Sequence, residues 1–385
     1  MGAPHAADFL RLLALVLLGV LAMLPSPVHG QATRPAFALI QIPAPASEIS
    51  IAADINNAGQ VIGNFQSGSS RRAFLWSRRS GLVMLPRPGA DASEWYASGI
   101  NDCGEIAGFA RDATGVNNYP VVWTVSGGVV TITRLAERHP ELASVSSILD
   151  INDQGHLIGD LAESSTGNAH AYLWTPQDGV TDLGTLGGSY SFAYGLNGRD
   201  EVVGTSSLVG DGEWQAYLWT RATGMQRISI AGTDRSEAFG INNSTEVAGQ
   251  FGALTLFNPT HAFRWTTESG MVDLRPDQPN NQLHFTSSWA RGINEQGEIV
   301  GTASFAGIHH AFLWTSQNGL IDLTPGSANQ FSAERINRYG DIIGSLTPAS
   351  SSAGLPRVVV WEKPPISKYR DFTPPEICRT RGIVR

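Results

Sequence analysis

Little in this chain points directly to chemistry. It has no phosphate-cradling Gly-x-x-x-x-Gly-Lys-Ser/Thr, no His-Glu-x-x-His, no Gly-x-Ser-x-Gly and no sialidase-like aspartate box. The commonest nucleotide, zinc-protease and serine-hydrolase signatures are therefore missing. Basic residues form no cluster and the net charge is -8, which disfavours nucleic acid as a partner. Cysteine is limited to two residues, enough for one disulfide at most. Lysine and glutamate are scarce, whereas Gly at 42 and Pro at 21 are abundant, a balance that suits short strands and tight turns. No segment is long enough for a helix with an apolar face. The longest apolar run, residues 12–24, has 13 residues, too few to span a bilayer comfortably.

That run carries a targeting signature instead. Arg11 precedes it, Pro25, Ser26 and Pro27 break it, and Val28 and Gly30 fit a cleavage site after Gly30, with Ala32 the next candidate. Residues 1–30 are expected to be a signal peptide and 31–36 a linker; a retained anchor is the rival reading. The mature protein is then exported, extracellular or periplasmic, with no membrane span.

What the chain does have is a repeat. Asn56, Asn101, Asn152, Asn197, Asn242, Asn294 and Asn337 each have Gly seven positions later: Gly63, Gly108, Gly159, Gly204, Gly249, Gly301 and Gly344. One Trp then follows in each unit: Trp76, Trp123, Trp174, Trp219, Trp265, Trp314 and Trp361. A period of 43–52 residues indicates an array of similar units, each with its own core. Superposed, the units give four strands: a (Ser-x-Ala-x-Gly-Ile-Asn), b (Glu-Val-Val-Gly), c (His-Ala-Phe-Leu-Trp-Thr) and d (Gly-Leu-Ile-Asp-Leu). Asn and the Gly three residues after it suit a tight a–b turn, while Asp200 and Thr245 replace that Gly in two units. The Gly after strand b marks a bulge or a close backbone approach. The repeat Trp residues are assigned to the core. Small residues alternate along strand a, including Ala52, Ala97, Ala193, Ala238, Ala290 and Ala333, which places it innermost.

Six units have strand d after their Trp, but Trp361 is followed by Glu-Lys-Pro-Pro. The missing strand lies at the front, where Ile42 precedes Asn56 by 14 residues, as Leu183, Ile228 and Leu323 precede their own next Asn. The fold class is therefore read as all-β, a seven-bladed β-propeller of four-stranded blades, closed by an N-terminal strand that completes the last blade and hides the free edge. Its expected domain spans 37–363. The repeats fall near 50–86, 95–133, 146–184, 191–229, 236–275, 288–324 and 331–362 plus 37–43, and residues 364–385 form a flexible tail.

The strings His261-Ala-Phe263, His310-Ala-Phe312, His170-Ala-Tyr172 and Asp182-Leu-Gly-Thr-Leu-Gly-Gly188 resemble the HAF-type extracellular repeat family of exported bacterial proteins. The resemblance covers residues 50–362, although Arg72, Tyr119, Gln215 and Arg357 replace His in four units. It implies an exported repeat protein and carries over no catalytic residue.

Candidate functional groups are those that break the repeat. Trp95 and Trp289 fall in d–a connections and Trp214 in a b–c connection, the two connection types that share one end of a four-stranded meander. With Tyr96, Tyr119, Tyr190 and Phe285 they are the candidate ligand-binding set, since exposed aromatics stack on sugars or anchor a protein partner; simple loop packing is the competing reading. Asp91, Glu94, Glu213, Asp234 and Glu237 lie at the same end but form no recognisable acid–base pair. Asp150-Ile-Asn152-Asp-Gln-Gly155 lacks the later acidic ligands of a calcium loop and reads as a turn. His170, His261 and His310 share one repeat position, with no recurring carboxylate evident beside them, so no metal and no cofactor is assigned. The leading expectation is a monomeric, non-enzymatic propeller that binds a glycan or a protein; a secreted hydrolase or lyase and a structural matrix protein are the alternatives. Cys103 lies in the second a–b turn and Cys378 is 17 residues past Trp361, a stretch that reaches roughly 55 Å. A Cys103–Cys378 bond across the seam, two free thiols and an intermolecular bond all stand as readings.

Overall fold

A computed structural model describes residues 37–382, except 115–117, 127, 163–166, 229–232, 253–259, 275–285, 306, 351, 353 and 370–371. The signal-peptide and linker assignments and Phe285 lie outside the described residues. Strand is the dominant structure in what is described, and no helix in it is long and apolar enough to cross a membrane.

Each unit is an antiparallel a–b–c–d meander. In the sixth, strands Ser287–Ile293, Ile299–Phe305, Ile308–Thr315 and Gly319–Asp322 pair in sequence order. The seventh has Gln330–Ile336, Ile342–Thr347 and Arg357–Glu362, and its fourth strand is Ala38–Gln41 from the other end of the chain. Ala38 pairs with Glu362 and Gln41 with Val359. Ile42 continues the ladder through its amide to Val358 O at 3.0 Å and is fully buried.

The glycine of strand b is required by crowding, not by φ. A Cβ on any of the seven would stand 1.8–2.5 Å from the carbonyl oxygen of a strand-a residue, Ile51 O for Gly63 and Ser332 O for Gly344. The bulge sits opposite, on strand a, at register shifts such as Ala238/Gly240 and Ala333/Arg335. In five units an aromatic of strand c pairs with this glycine: Phe74, Tyr172, Tyr217, Phe263 and Phe312. Its ring lies over the space that a side chain would take. The alanine before it is fully buried wherever it occurs. In the third, fourth and fifth units its amide donates to a serine hydroxyl of the next unit: Ala171 to Ser191, Ala216 to Ser236 and Ala262 to Ser288.

The a–b turns repeat almost atom for atom. Asn56 Oδ1 accepts the amides of Ala58 and Gln60, five other repeat asparagines accept the equivalent pair, and Asn152 accepts the amide of His156. The third residue after Asn has φ between 71° and 80° where it is Gly, and 60° and 58° at Asp200 and Thr245. Each Asn Nδ2 then donates to the next unit's Asn carbonyl: 56 to 101, 101 to 152, 152 to 197, 197 to 242, 242 to 294, 294 to 337, and 337 back to 56, at 2.9–3.2 Å. These amides are buried, so each bond also satisfies a donor that would be costly to leave unpaired.

Five repeat Trp residues are buried, whereas Trp265 and Trp314 are half-buried at the edge of their clusters, a weaker core role than expected of them. Short helical turns, Leu135–Arg138 and Pro140–Ser144, occupy the connection after the second unit. Helix was not expected there; Leu135 and Leu142 anchor these turns in the third unit's core.

Candidate functional site

Strand a lines a central channel. A cavity of about 210 Å³ is bounded by the residue before each repeat Asn in all seven units, Ile55, Ile100, Ile151, Leu196, Ile241, Ile293 and Ile336. A second, of about 140 Å³, lies against Asp54, Asp150, Arg335, Arg291, Tyr194 and Phe239. At the position two before Asn, four units have Gly, and a Cβ at Gly99, Gly195, Gly240 or Gly292 would meet atoms of the neighbouring unit at 3.0–3.3 Å. The other three carry charge.

Asp54 Oδ1 accepts the Ile55 amide and Oδ2 the Ile100 amide, at 2.8 and 3.0 Å. Asp150 repeats this with Ile151 and Leu196, at 2.8 and 3.2 Å. Each carboxylate therefore staples its unit to the next. Burial raises both carboxyls; Asp150, with the Asp54 charge nearby, is pushed up to about 7 despite Arg335. Water can enter the cavity they line, but the surrounding protein keeps most solvent away. Among the described residues no group of three or more His, Cys, Asp or Glu is placed to hold a metal ion.

The loop-end aromatics divide into two kinds. Trp95 donates Nε1 to Leu85 O at 3.1 Å and packs in the first core, as does Tyr119 beneath the Arg134 guanidinium. Tyr96 packs on Phe109 with Arg71 over its ring. Trp289 meets His309 edge-on at 5.5 Å. Trp214, by contrast, stacks on Tyr190 at 6.0 Å and on Phe192 at 5.8 Å. Tyr190 and Phe192 flank buried Ser191 on Gly187–Leu196 as partly exposed rings, and partly exposed Tyr194 follows at the register shift between Ala193 and Gly195. Tyr194 stacks on Phe239 at 5.1 Å, and Arg291 lies 4.2 Å from the Phe239 ring. The result is an aromatic shelf running from the loop edge to the channel. Phe192, Tyr194 and Phe239 escaped the sequence reading, although Tyr194 and Phe239 break a column that holds Ala53 and Ser98 elsewhere.

Three loop-end carboxylates are held by arginines: Asp91 by Arg134, Glu94 by Arg111 at 2.9 Å and Glu237 by Arg235 at 2.8 Å. The Arg134 hydrogen bond holds the Asp91 carboxyl below its usual range. Glu213 and Asp234 are exposed.

A carboxylate does recur beside the histidines, which corrects the sequence reading. His170 Nδ1 lies 2.9 Å from Asp182, and His310 Nδ1 lies 2.9 Å from Asp322. The strand-d aspartate also takes a backbone amide after strand d, Gly184 in one case and Thr324 in the other. The pair sits within one unit and ties strand c to the turn after strand d, a structural use.

Residues 363–382 correct the expectation of a flexible tail. Lys368 pairs with Asp341, the Tyr369 hydroxyl accepts from Asn337 Nδ2 at 3.1 Å, and its ring covers Gly59. Cys378, on the short helix Glu376–Thr380, is bonded to Cys103 with Cα atoms 5.2 Å apart. Arg381 then reaches Glu105 at 2.6 Å and Asp153 O at 3.1 Å. The tail is a strap from the seventh unit across the first to the second.

Among solved structures, the chain is similar to the β-propeller domain of the trilobed protease from Pyrococcus furiosus, with a TM-score of 0.54 and 8% identity over 81% of this chain and 93% of that one. It is also similar to the acylaminoacyl peptidase of Pyrococcus horikoshii, with a TM-score of 0.56 and 11% identity. The fold is a β-propeller. The alignment covers 82% of this chain but only 51% of the peptidase, so the propeller spans about half that protein's length, and at this identity the likeness concerns fold alone. A prolyl endopeptidase shows the same relation, with a TM-score of 0.51, 13% identity and 48% of its length covered. No protein-family model and no curated protein matches the sequence.

Proposed function

We propose that this is an exported seven-bladed propeller closed by its N-terminal strand, and that it binds a glycan, or failing that a protein segment, at the loop end without catalysing a reaction. The closure reading rests on the Ala38–Glu362 register, on the asparagine bonds from 337 to 56 and on a central cavity shared by seven equivalent residues. Export rests on the segment before residue 31 and on its likeness to the exported HAF-type repeats.

The binding reading is carried by one observation: the half-exposed shelf of Trp214, Tyr190, Phe192, Tyr194 and Phe239. A core would bury these rings, and a water-facing surface gains nothing from aligning them. Sugar faces stack on such rings, and the adjacent Arg291 supplies donors for hydroxyls or acids. The test is a glycan array with the mature protein, followed by titration of the best ligand. Trp214→Ala should weaken binding about tenfold, roughly 1.4 kcal/mol, and leave the melting temperature almost unchanged. A protein captured in place of a glycan would select the other ligand class. An array without hits, or a Trp214→Ala variant that loses stability but not affinity, would return the shelf to a packing role.

A further inference from the structure

The aromatic shelf has an inner end. Tyr194 and Phe239, its last two rings, also wall the channel cavity of about 140 Å³. Whole small-molecule sites usually span roughly 300–1,000 Å³, whereas a void of about 150 Å³ holds one six-membered ring. The cavity therefore takes a single ring. Leu196, Ile241, Ile293 and Ile336 line both this cavity and the larger one beside the repeat asparagines, so they stand between the two as a floor. A long ligand on the shelf can enter this cavity only with its end.

The charged lining selects what that end carries. Asp54 and Asp150 stand against Arg291 and Arg335, a balance that favours neither an anion nor a cation. Yet the opposite charges do not close on one another. Among the described residues, no ion pair joins either carboxylate to either guanidinium. Each carboxylate oxygen accepts one backbone amide and keeps a further lone pair. Arg335 spends Nη1 on the Arg291 and Glu334 carbonyls, and no acceptor among the described residues reaches its Nε or Nη2. Spare acceptors and spare donors thus border one small void. A hydroxyl both donates and accepts, so a ring bearing several of them answers both. A sugar ring also has an apolar face for Tyr194 and Phe239.

We propose that the shelf ligand is a glycan held by its end, with a neutral terminal pyranose in the channel cavity and the preceding sugars on Phe192, Tyr190 and Trp214. The terminal ring lies on Tyr194 and Phe239, and its hydroxyls bridge the two aspartates and Arg335. In glycans joined to a carrier the reducing end is occupied, so the end that enters is the non-reducing one. This rests on the glycan reading of the shelf and adds recognition of a chain end. The test is an array of neutral oligosaccharides attached through their reducing ends and printed in sets. Within a set the interior is constant, and the terminal sugar is varied or capped with sialic acid. Hits should share one neutral terminal sugar across different interiors, and the cap should abolish them. In calorimetric titration with the best-bound free oligosaccharide, Arg335→Gln should weaken binding by about tenfold, as for a lost charged hydrogen bond. Melting of the variant is measured alongside; if it does not fold, the capped and uncapped pairs decide alone. Hits sorted by interior sequence, capped and uncapped members bound alike, or a folded Arg335→Gln variant with parental affinity would overturn end recognition and leave the shelf reading standing. An array without hits would overturn both.

Discussion

The two ends of the propeller follow different rules. At the turn end, all seven asparagines donate Nδ2 to the carbonyl of the next repeat Asn, so the same bond links each unit to the next. At the loop end the aromatics follow no common rule: one unit presents Trp214 on Tyr190, another Trp289 on His309, another Trp95 tied to Leu85 O. Identical residues at one end can only answer a demand that all units share, which is the geometry of the array. A feature found in one or two units answers something else. Even the turn end departs from its pattern in two units, the third and the one at the seam. In five units the second Nδ2 hydrogen of Asn goes to the side chain four residues on, Gln60, Glu105, Glu201, Glu246 or Glu298. In the third it goes to Asp200 of the next unit, and in the seventh Lys368 takes Asp341 and Tyr369 takes the hydrogen instead.

The comparison breaks first if the seam proves to be an ordinary junction. Deleting residues 37–43 removes fully buried Ile42 and a whole ladder from the last unit. The expected loss is at least ~5 kcal/mol, with aggregation through the exposed edge. Thermal melting with light scattering reads both, and a melt within about two degrees of the parent would show that the last unit does not need this strand.

The rule that repeated residues are structural is tested by Gly344→Ala, which sets a methyl 1.8 Å from Ser332 O. A loss of ~2–4 kcal/mol is expected in urea unfolding. Gly212→Ala, with nothing within 4 Å, should change stability by less than ~0.5 kcal/mol. Similar values for the two would remove crowding as the reason for the repeated glycine.

A smaller effect of opposite sign is expected where two units differ inside the wall. Asn64 bonds both the amide and the carbonyl of Ala97 in the next unit, at 2.9 Å each. Asp160 occupies the equivalent place. Its Oδ2 takes the Ser147 hydroxyl at 2.8 Å, while no donor completes a bond to Oδ1. Burial pushes this carboxyl up to about 6, against the pull of Ser147 and the nearby Ala193 amide. A raised acid holds its proton more tightly when folded than when unfolded. Its contribution is therefore full below pH ~4 and lost as pH rises through about 6. Asp160→Asn should stabilise the protein at pH 8 by ~1–3 kcal/mol and much less at pH 4. Equal effects at both pH values would dissociate the gain from protonation.

Much of the architecture was legible because its signals are periodic. The Asn-to-Gly interval, the orphan strand at Ile42 and the aromatic paired with glycine recur at fixed spacing and need no tertiary knowledge. The histidine–aspartate pair could have been found the same way, since Asp182 and Asp322 both lie 12 residues after their His. The strap could not. Its anchors Gly59, Cys103, Glu105 and Asp341 come from three units that meet only in the folded chain. Nor could the sequence separate Trp95 from Trp214, because the difference is whether a carbonyl such as Leu85 O stands within reach of the indole. The channel charges are visible as exceptions in an aligned column, but the column does not say that its members face a shared void.

The asparagine bonds all run in the same rotational sense, each unit giving to its successor and receiving from its predecessor. A circuit of that kind has no first member. Residue order matters to it only locally, so the protein could be cut between any two units and its old ends joined without removing a link. The strap breaks this equivalence: it places Tyr369 on one asparagine and a covalent bond two units away. Moving the ends would thus leave the circuit intact and remove only the covalent tie laid across three of its members.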